Sequence, residues 1–473
     1  MPPDFASKLA GRRVCVAGLG VSGPPAARVL ASYGARVTAV DSRDDSDRRE
    51  LAAGLAARGV DVLLGEAAAA SLPAGTELVV TSPGWTPGAP LLAGAAADGV
   101  EIMGDVEFAW RLRPSLAGGG EQQWLGVTGT NGKTTTVRML AAMLAAAGHW
   151  TVAAGNVGLS AVDAVTEPDP YPVIAVELSS FQLYWSVSLR PFAAAVLNIA
   201  AHHLDWHGDI ESYARAKGRI YAPGTVAVCN ADDRRSAGLA ADAAGTARVV
   251  AFRLGAPGPG ELGISCGTLL DRAFGDGVIL ADVGDVRPQV PHNVADALAA
   301  AALARAYGAP PAAIRAGLAA FEPEPHRMTL VARVAGVDYV DDSKASNPHA
   351  AAASLAAYRS VVWIAGGLFR GSGADIDRLV HSAAARLRAA VLLGADREVI
   401  RRSLARHAPD VPVVEVVRTD TGVMDLVVAE AARLAMPGDT VLLAPAAQSF
   451  DMFRDYPARG DAFAAAVGRL ART

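Results

Sequence analysis

Cysteine is scarce. The 473 residues hold three, Cys15, Cys229 and Cys266, far apart and without a CxxC pair. That spacing excludes a disulfide framework and a cysteine-rich zinc cluster, and a reduced, cytoplasmic setting is expected. An excess of one charge is also missing. With 43 Lys and Arg against 48 Asp and Glu, the net charge is −5, which offers nucleic acid no basic field. No apolar run reaches the roughly 20 residues of a membrane span, because the longest are alanine-rich and broken by charges or glycines. The opening MPPDFASKLAGRR lacks the apolar stretch of a secretory signal, so none is expected. No short-period repeat is present, which argues against a solenoid.

What is there has the balance of a soluble globular protein, 51% hydrophobic and 19% charged. Its length predicts about two to four domains. RRVCVAGLG at 12–20 is a β-branched apolar run ending in glycines, a buried parallel strand and its turn. PPAARVLASYG follows as a helix, with Pro24 and Pro25 in its first turn and Gly34 at its end. ARVTAVD, VDVLLG and TELVVTSPG continue the alternation, which predicts a doubly wound parallel sheet.

RPSLAGGGEQQ at 113–123 breaks that pattern and predicts a linker. A second series runs through WLGVTGT, YPVIAVELSS, FAAAVLNIA and TVAVCN. Small strands or hairpins are predicted over glycine-rich 253–290, and a helix over ADALAAAALARAYG, closed by Gly308. FEPEPHR at 321–327 predicts a second joint. The third series is VDYVDDS, VVWIAGG, AAVLLG, VPVVEVV and DTVLLAPAA. The expectation is an α/β chain of three domains, 1–115, 116–322 and 323–473.

Two glycine loops carry the chemistry. Gly18-Leu-Gly20-Val-Ser-Gly23 follows a strand and opens a helix, and Asp41 ends the next strand. This spacing lets backbone N–H groups approach a pyrophosphate, with Asp41 accepting from a ribose or base. It does not separate a dinucleotide from a UDP-sugar, and a ligand-free tight turn has the same pattern. The second loop, GVTGTNGKTTT at 126–136, is spaced unlike the common phosphate loop: only Thr130 and Asn131 lie between Gly129 and Gly132. Its G-K-T core still stands between a strand and a helix. Backbone N–H groups face an anion, Lys133 adds a point charge, and the Thr134 hydroxyl can reach Mg²⁺. The loop is read as the holder of the β and γ phosphates of ATP.

GTNGKTT resembles the ATP loop of the Mur ligases and of their relative folylpolyglutamate synthase. DDSKASNPHAAAASL at 341–355 and LAPAAQSFDMFRDYPARGDAF at 443–463 resemble the Mur ligases that add D-glutamate. The resemblance covers nearly the whole chain, with the motifs in order. It implies an N-terminal Rossmann-like domain for UDP, a central P-loop ATPase-like αβ domain with a mostly parallel sheet, and a C-terminal Rossmann-like domain for the amino acid. It implies ATP and Mg²⁺ as cofactors and UDP-N-acetylmuramoyl-L-alanine and D-glutamate as substrates. Formation of one amide through an acyl phosphate and a tetrahedral intermediate follows from it. A monomer is expected.

The resemblance also assigns residues. The first loop takes the sugar nucleotide, with Gly20, Val21, Ser22, Asp41 and Ser42, and a further contact from Ser82, Pro83 and Gly84. Gly129, Thr130, Asn131, Gly132, Lys133, Thr134 and Thr135 hold ATP with Asn156, Asn293, Asp296, Arg327, Asp342 and Lys344. Without it, Arg327 reads equally well as a linker charge. Glu177, a carboxylate at the end of a buried strand, becomes a Mg²⁺ ligand with Thr134 and His203, in place of a Walker-B Asp. Lys217 reads from sequence alone as a surface helix lysine. The resemblance makes it a carbamylated lysine at the metal site, catalytic with Lys133, Glu177 and His203. Lys344, Ser346, Arg370, Ser449, Phe450 and Tyr456 are assigned to D-glutamate. Two positions depart from the family: His202 stands where an acid precedes His203, and Arg370 where a lysine is usual.

Other readings are weaker. An L-alanine-adding ligase or a folylpolyglutamate synthase leaves DDSKASNPHA unexplained. An NAD-dependent dehydrogenase, or a nucleotide-binding module without amide chemistry, leaves GTNGKTT, Glu177 and His203 without a role.

Overall fold

The computed structural model describes residues 3–116, 119–243, 245–418 and 422–472. Among these, the strands form three sheets. By packing, the chain divides into two compact units, residues 1–289 with 293–321, and residues 290–292 with 322–473.

The first sheet holds Arg13–Ala17, Arg36–Asp41, Asp61–Leu64, Leu78–Thr81 and Glu101–Gly104, all parallel, in the order 3-2-1-4-5. Its first strand lies between the second and the fourth, so the chain reverses direction across the sheet there. The crevice beyond such a reversal is where open α/β sheets put ligands. The first glycine loop emerges at this point.

The second sheet has nine strands. Seven run parallel, from Gln123–Thr128 through Glu261–Ser265, and Thr268–Asp271 and Val278–Asp282 extend it as an antiparallel meander. The hairpins predicted over 253–290 are this extension. The second reversal point lies beside Gln123–Thr128, which sits between Val173–Glu177 and Ala193–Val196. Register pairs Val127 with Glu177, so the strand-end carboxylate stands level with the start of the phosphate loop.

One apolar core joins the first sheet to one face of the second, through Phe108, Trp110, Trp124 and Ile174. The Trp110 and Trp124 rings meet edge to face, centroids 5.3 Å apart. The linker expected at 113–123 is pinned by this packing. Arg113 lies 3.6 Å from the Trp110 ring and pairs with Glu121, and Ser115 bridges to Glu121. Residues 117 and 118 of that stretch lie outside the described residues.

The other face is covered by Lys133–Ala146, Pro291–Ala306 and Pro311–Ala320. Pro291–Ala306 is buried almost all round, and its alanines allow close approach without large side chains. In the second unit, a six-stranded sheet has one antiparallel edge strand, Thr329–Val334, and apolar layers on both faces. No helix among the described residues is long and apolar enough to cross a membrane.

Gly317 shows how tight the helix layer is: a Cβ there would lie 2.5 Å from Met143 Cα. Backbone cannot yield as a flexible side chain does, so Gly317→Ala is expected to cost about 1–3 kcal/mol through overpacking. A lowered urea midpoint for the larger unit, with the smaller unit's transition unchanged, is the measurement that checks it.

Candidate active site

The phosphate loop is built by backbone. Gly132 has φ +85°, and a Cβ on it would stand 2.2 Å from Asp296 Oδ1. Only glycine fits both the conformation and the contact. The helix Lys133–Ala146 begins at once, so its first N–H groups face the loop. Asn131 and Asn198 lock the loop to the segment after Ala193–Val196. Asn131 N donates to Asn198 Oδ1 at 2.8 Å, and Asn198 Nδ2 donates to Asn131 O at 3.1 Å. Thr130 Oγ1 accepts from Ala200 N at 2.9 Å. Lys133 Nζ folds back on the loop, 3.0 Å from the carbonyl oxygens of Gly129 and Thr130.

Glu177 is 2% exposed. Thr134 Oγ1 donates to its Oε2 at 2.8 Å, and Asn156 Nδ2 to its Oε1 at 3.0 Å. A buried carboxylate without partners is strongly unfavourable, and each hydrogen bond to a charged group contributes about 1.5–3 kcal/mol. Asn156 is itself placed by Glu177, because its N–H donates to the Glu177 carbonyl at 2.9 Å. Loop, strand end and neighbouring strand thus meet at one carboxylate.

Lys217 is also 2% exposed, which corrects its reading as a surface lysine. It lies on the inner face of Ile210–Gly218, where Tyr213, Ala214 and Ala216 are buried beside it. Its Nζ donates to Thr128 Oγ1 at 3.2 Å and to Gly129 O at 2.8 Å. The Thr128 hydroxyl donates onward to Leu178 O at 2.7 Å, which frees its oxygen to accept. Burial, and then the Lys133 cation, hold the Lys217 pKa well below the ordinary lysine value, against the pull of Glu177.

His203 has φ +55° and sits just before the short helix Leu204–His207, its ring against those of Phe181 and His202 rather than free on a loop. Phe181 holds His203 at 4.7 Å and His207 at 5.5 Å between ring centroids. Burial pushes the His203 pKa down to about 4, with Asp205 opposing and Lys217 and Lys133 assisting. Burial and the neighbouring His203, Lys133 and Lys217 push His202 down to about 3. Both rings are neutral at pH 7, the form that binds a metal. Among the described residues, no three His, Cys, Asp or Glu side chains are already gathered to hold a metal ion. Asn293 and Asp296 are buried on the first turns of Pro291–Ala306, with Asp296 against Gly132.

At the first loop, Asp41 is 6% exposed and accepts from Leu19 N at 2.7 Å and Arg43 N at 2.9 Å. Arg48 Nε stands 3.3 Å from it. Ser82 Oγ donates to Gly18 O at 2.9 Å and ties the two loops together across the reversal point. Gly20 is open to solvent, Val21 is 88% exposed and Ser22 is buried. Ser42 lies beside Asp41, and Pro83 and Gly84 follow Ser82.

In the second unit, Asp342, Ser343 and Lys344 follow the strand Val337–Asp341, and Ser449 and Phe450 follow the neighbouring strand Thr440–Leu443. Burial pushes the Asp342 carboxyl up to about 6, and it bonds inward to Ser354 and to Met328 N. Lys344 and Arg327 share Glu324, and the Lys344 ammonium lies 5.6 Å from the Tyr456 ring. Ser346 is half-buried, Ser449 buried, Arg370 and Phe450 exposed. Arg459, fully buried, joins both loops. It donates to Ser343 Oγ at 3.0 Å, Ser343 O at 2.8 Å and Ala447 O at 3.1 Å, and burial pushes its pKa down to about 10.

The family models agree with this architecture. Residues 12–104 match "Mur ligase MurD-like, N-terminal domain", 127–259 match "Mur ligase middle domain", and 326–447 match "Mur ligase, glutamate ligase domain". A UDP-N-acetylmuramoylalanine–D-glutamate ligase of Thermobifida fusca is 59% identical over 98% of this chain and 100% of its own. The chain belongs to the Mur ligase family. An enzyme of the same name from Streptomyces avermitilis is 58% identical over 97% of this chain and 98% of its own. The fold is that of a pseudomurein peptide ligase type C from Methanothermus fervidus, at 17% identity and TM-score 0.59, over 97% of this chain and 100% of that one.

Sequence reading passed over Asn198, Tyr213, Glu324 and Arg459. Asn198 and Arg459 stand inside the quoted runs FAAAVLNIA and LAPAAQSFDMFRDYPARGDAF, and that was the available signal. Glu324 stands in the quoted FEPEPHR joint, yet only folding brings it to Lys344, and Tyr213 lies one helical turn before Lys217, so its signal was that spacing.

A buried neutral histidine destabilises the fold in acid. The unfolded ring takes up a proton below its usual pKa of about 6.5, while the folded ring stays neutral to about 3 or 4, so stability is lost as pH falls through that window. The apparent melting temperature is expected to drop from pH 6.5 to 4, and less steeply in His202→Asn. Equal slopes would remove His202 as a source.

Proposed function

We propose that the chain joins D-glutamate to UDP-N-acetylmuramoyl-L-alanine at the expense of ATP, a cytoplasmic step of peptidoglycan precursor synthesis, working as a monomer. The near-full-length identity to ligases of that name supports the substrates. The observation that carries the chemistry is the hydrogen bond from Thr134 to the buried Glu177, beside the loop that faces an anion.

The donor set there fits Mg²⁺. A hydroxyl and a carboxylate oxygen 2.8 Å apart are the hard oxygen ligands this ion takes, usually with substrate phosphates. Thr134, Glu177 and His203 would hold it, and it would neutralise charge on the transferring phosphoryl group. Gly129, Thr130, Asn131, Gly132 and Thr135 shape the loop around the phosphates, with Asn156, Asn293 and Asp296 beside it. Lys133 shifts from the carbonyl oxygens of Gly129 and Thr130 to the β and γ phosphates. The L-alanine carboxylate attacks the γ-phosphorus, and the bond to ADP breaks. Lys133 stabilises the charge that moves onto the leaving oxygen. The amine of D-glutamate then attacks the acyl carbon, loses a proton, and expels phosphate from the tetrahedral intermediate. A free carboxylate is a poor acyl donor, which is why amide formation needs the phosphate loop.

Gly20, Val21, Ser22, Asp41, Ser42, Ser82, Pro83 and Gly84 bind the sugar nucleotide. Arg327, Asp342 and Lys344 serve ATP. Lys344, Ser346, Arg370, Ser449, Phe450 and Tyr456 receive D-glutamate, and the Arg370 guanidinium can pair bidentately with a carboxylate where a lysine could not.

Lys217 is carbamylated in this reading. Its amine, in the neutral form that burial favours, adds to CO₂ and releases a proton, which places an anion at the metal site. Protein equilibrated with ¹³CO₂ should show a carbamate carbon resonance that Lys217→Ala lacks; its persistence in the variant would assign the carbamate elsewhere.

Phosphate release should require D-glutamate and UDP-N-acetylmuramoyl-L-alanine together. Lys133→Ala is expected to abolish ATP turnover while sugar-nucleotide affinity stays nearly intact. Asp41→Ala is expected to raise the KM for the sugar nucleotide with ATP affinity kept. Equal loss of both affinities in either variant would reject the two-site division.

A further inference from the structure

Phe181 is a half-buried ring that no step of the reaction uses. Three rings of one short segment close on it. Its centroid lies 4.7 Å from that of His203, 5.0 Å from Trp206 and 5.5 Å from His207, and the His207 ring is parallel to it within 3°. These are the separations that paired aromatic rings prefer, and such pairs fix orientation as well as position.

The two sides of the stack belong to different parts of the metal site. Phe181 follows Glu177 closely, and the chain between them is locked. Leu178 N donates to Val127 O at 2.9 Å, and the Leu178 carbonyl accepts from Thr128 Oγ1 at 2.7 Å. A capping box between Ser179 and Gln182 then starts the helix Ser180–Tyr184. Phe181 is therefore carried by the strand end that presents Glu177. His203, on the other side, precedes Leu204–His207, a helix of 4 residues. So short a helix has little stability of its own. His203 also holds φ +55°, a left-handed backbone that a residue with a Cβ keeps only where its surroundings impose it. The restraint comes from Ser180–Tyr184. Besides the Phe181 stack, the buried Ser180 Oγ is hydrogen-bonded to His207 Nε2 at 2.9 Å, and Trp206 meets Tyr184 at 5.0 Å between centroids. Of these three residues of the helix, Phe181 is the one whose ring meets the His203 ring.

We propose that Phe181 is a positioning residue for metal binding: carried by the Glu177 strand end, its ring sets the His203 imidazole relative to that carboxylate. The inference rests on the reading of His203 as a metal ligand.

Metal binding to the full chain tests it, with Mn²⁺ as the probe and loss of its free-ion EPR signal as the readout, in the presence of a non-hydrolysable ATP analogue. Phe181→Leu keeps apolar volume but not the ring. It is expected to raise the Kd for Mn²⁺ about tenfold, the scale on which groups that orient a metal ligand act. Phe181→Tyr keeps the ring and should hold the Kd within about twofold. In steady-state assays of Phe181→Leu, the Mg²⁺ concentration for half-maximal rate should rise by a similar factor, and saturating Mg²⁺ should restore kcat to within about twofold. A merely structural lesion would lower kcat at every Mg²⁺ concentration. If the leucine variant does not fold, Phe181→Met is read in the same assays. An unmoved Kd for Mn²⁺ overturns the proposal, as does failure of Phe181→Tyr to hold it or a kcat that Mg²⁺ does not restore. His203→Ala separates the two ideas. If it leaves the Kd unmoved, the ligand assignment falls; if it raises the Kd while Phe181→Leu does not, only the role of Phe181 falls. Adding Phe181→Leu to His203→Ala should cost no further affinity, and an additive loss would overturn an action through His203.

Discussion

The larger unit depends on one buried carboxylate. Glu177 cannot stay in a parallel-sheet interior without partners, and the partners it has are Thr134 and Asn156. Thr134 is the second residue of the phosphate-loop helix, and Asn156 closes the neighbouring strand. Satisfying one charge therefore fixes the loop, the helix entry and two strand ends relative to one another. The register of Gln123–Thr128 with Val173–Glu177 makes that meeting possible, since a slip of one residue would turn Glu177 to the opposite face.

Lys217 belongs to the same balance of charge. Its amine is placed by Thr128 and Gly129, at the foot of the phosphate loop, and shares its surroundings with Lys133 and Glu177. Burial, with the Lys133 cation beside it, lowers the Lys217 pKa and so favours the neutral amine, the form that can be carbamylated.

The second unit uses a different device. Its sites stand on loops after two adjacent parallel strands, and a fully buried arginine, Arg459, holds both loops by their carbonyls and by Ser343. Asp342 turns inward to Ser354, so it braces its loop, while Lys344 faces Glu324 and Tyr456.

Much of this was legible in the chain alone. Period-two and buried runs located the strands, Gly and Pro marked the turns, and GTNGKTT located the phosphate loop, because these signals act within a few residues. The motifs at 341–355 and 443–463 pointed to the family for the same local reason. The glycine spacing at 18–23 left the ligand of the first loop open, because a helix N-terminus recognises any diphosphate alike. Only the tertiary structure decided that Lys217 is buried, that the stretch at 113–123 is pinned by Trp110 and Glu121, and that His202 and His203 are neutral. Burial and pKa depend on what packs against a side chain from distant parts of the chain, and no spacing along the sequence encodes that.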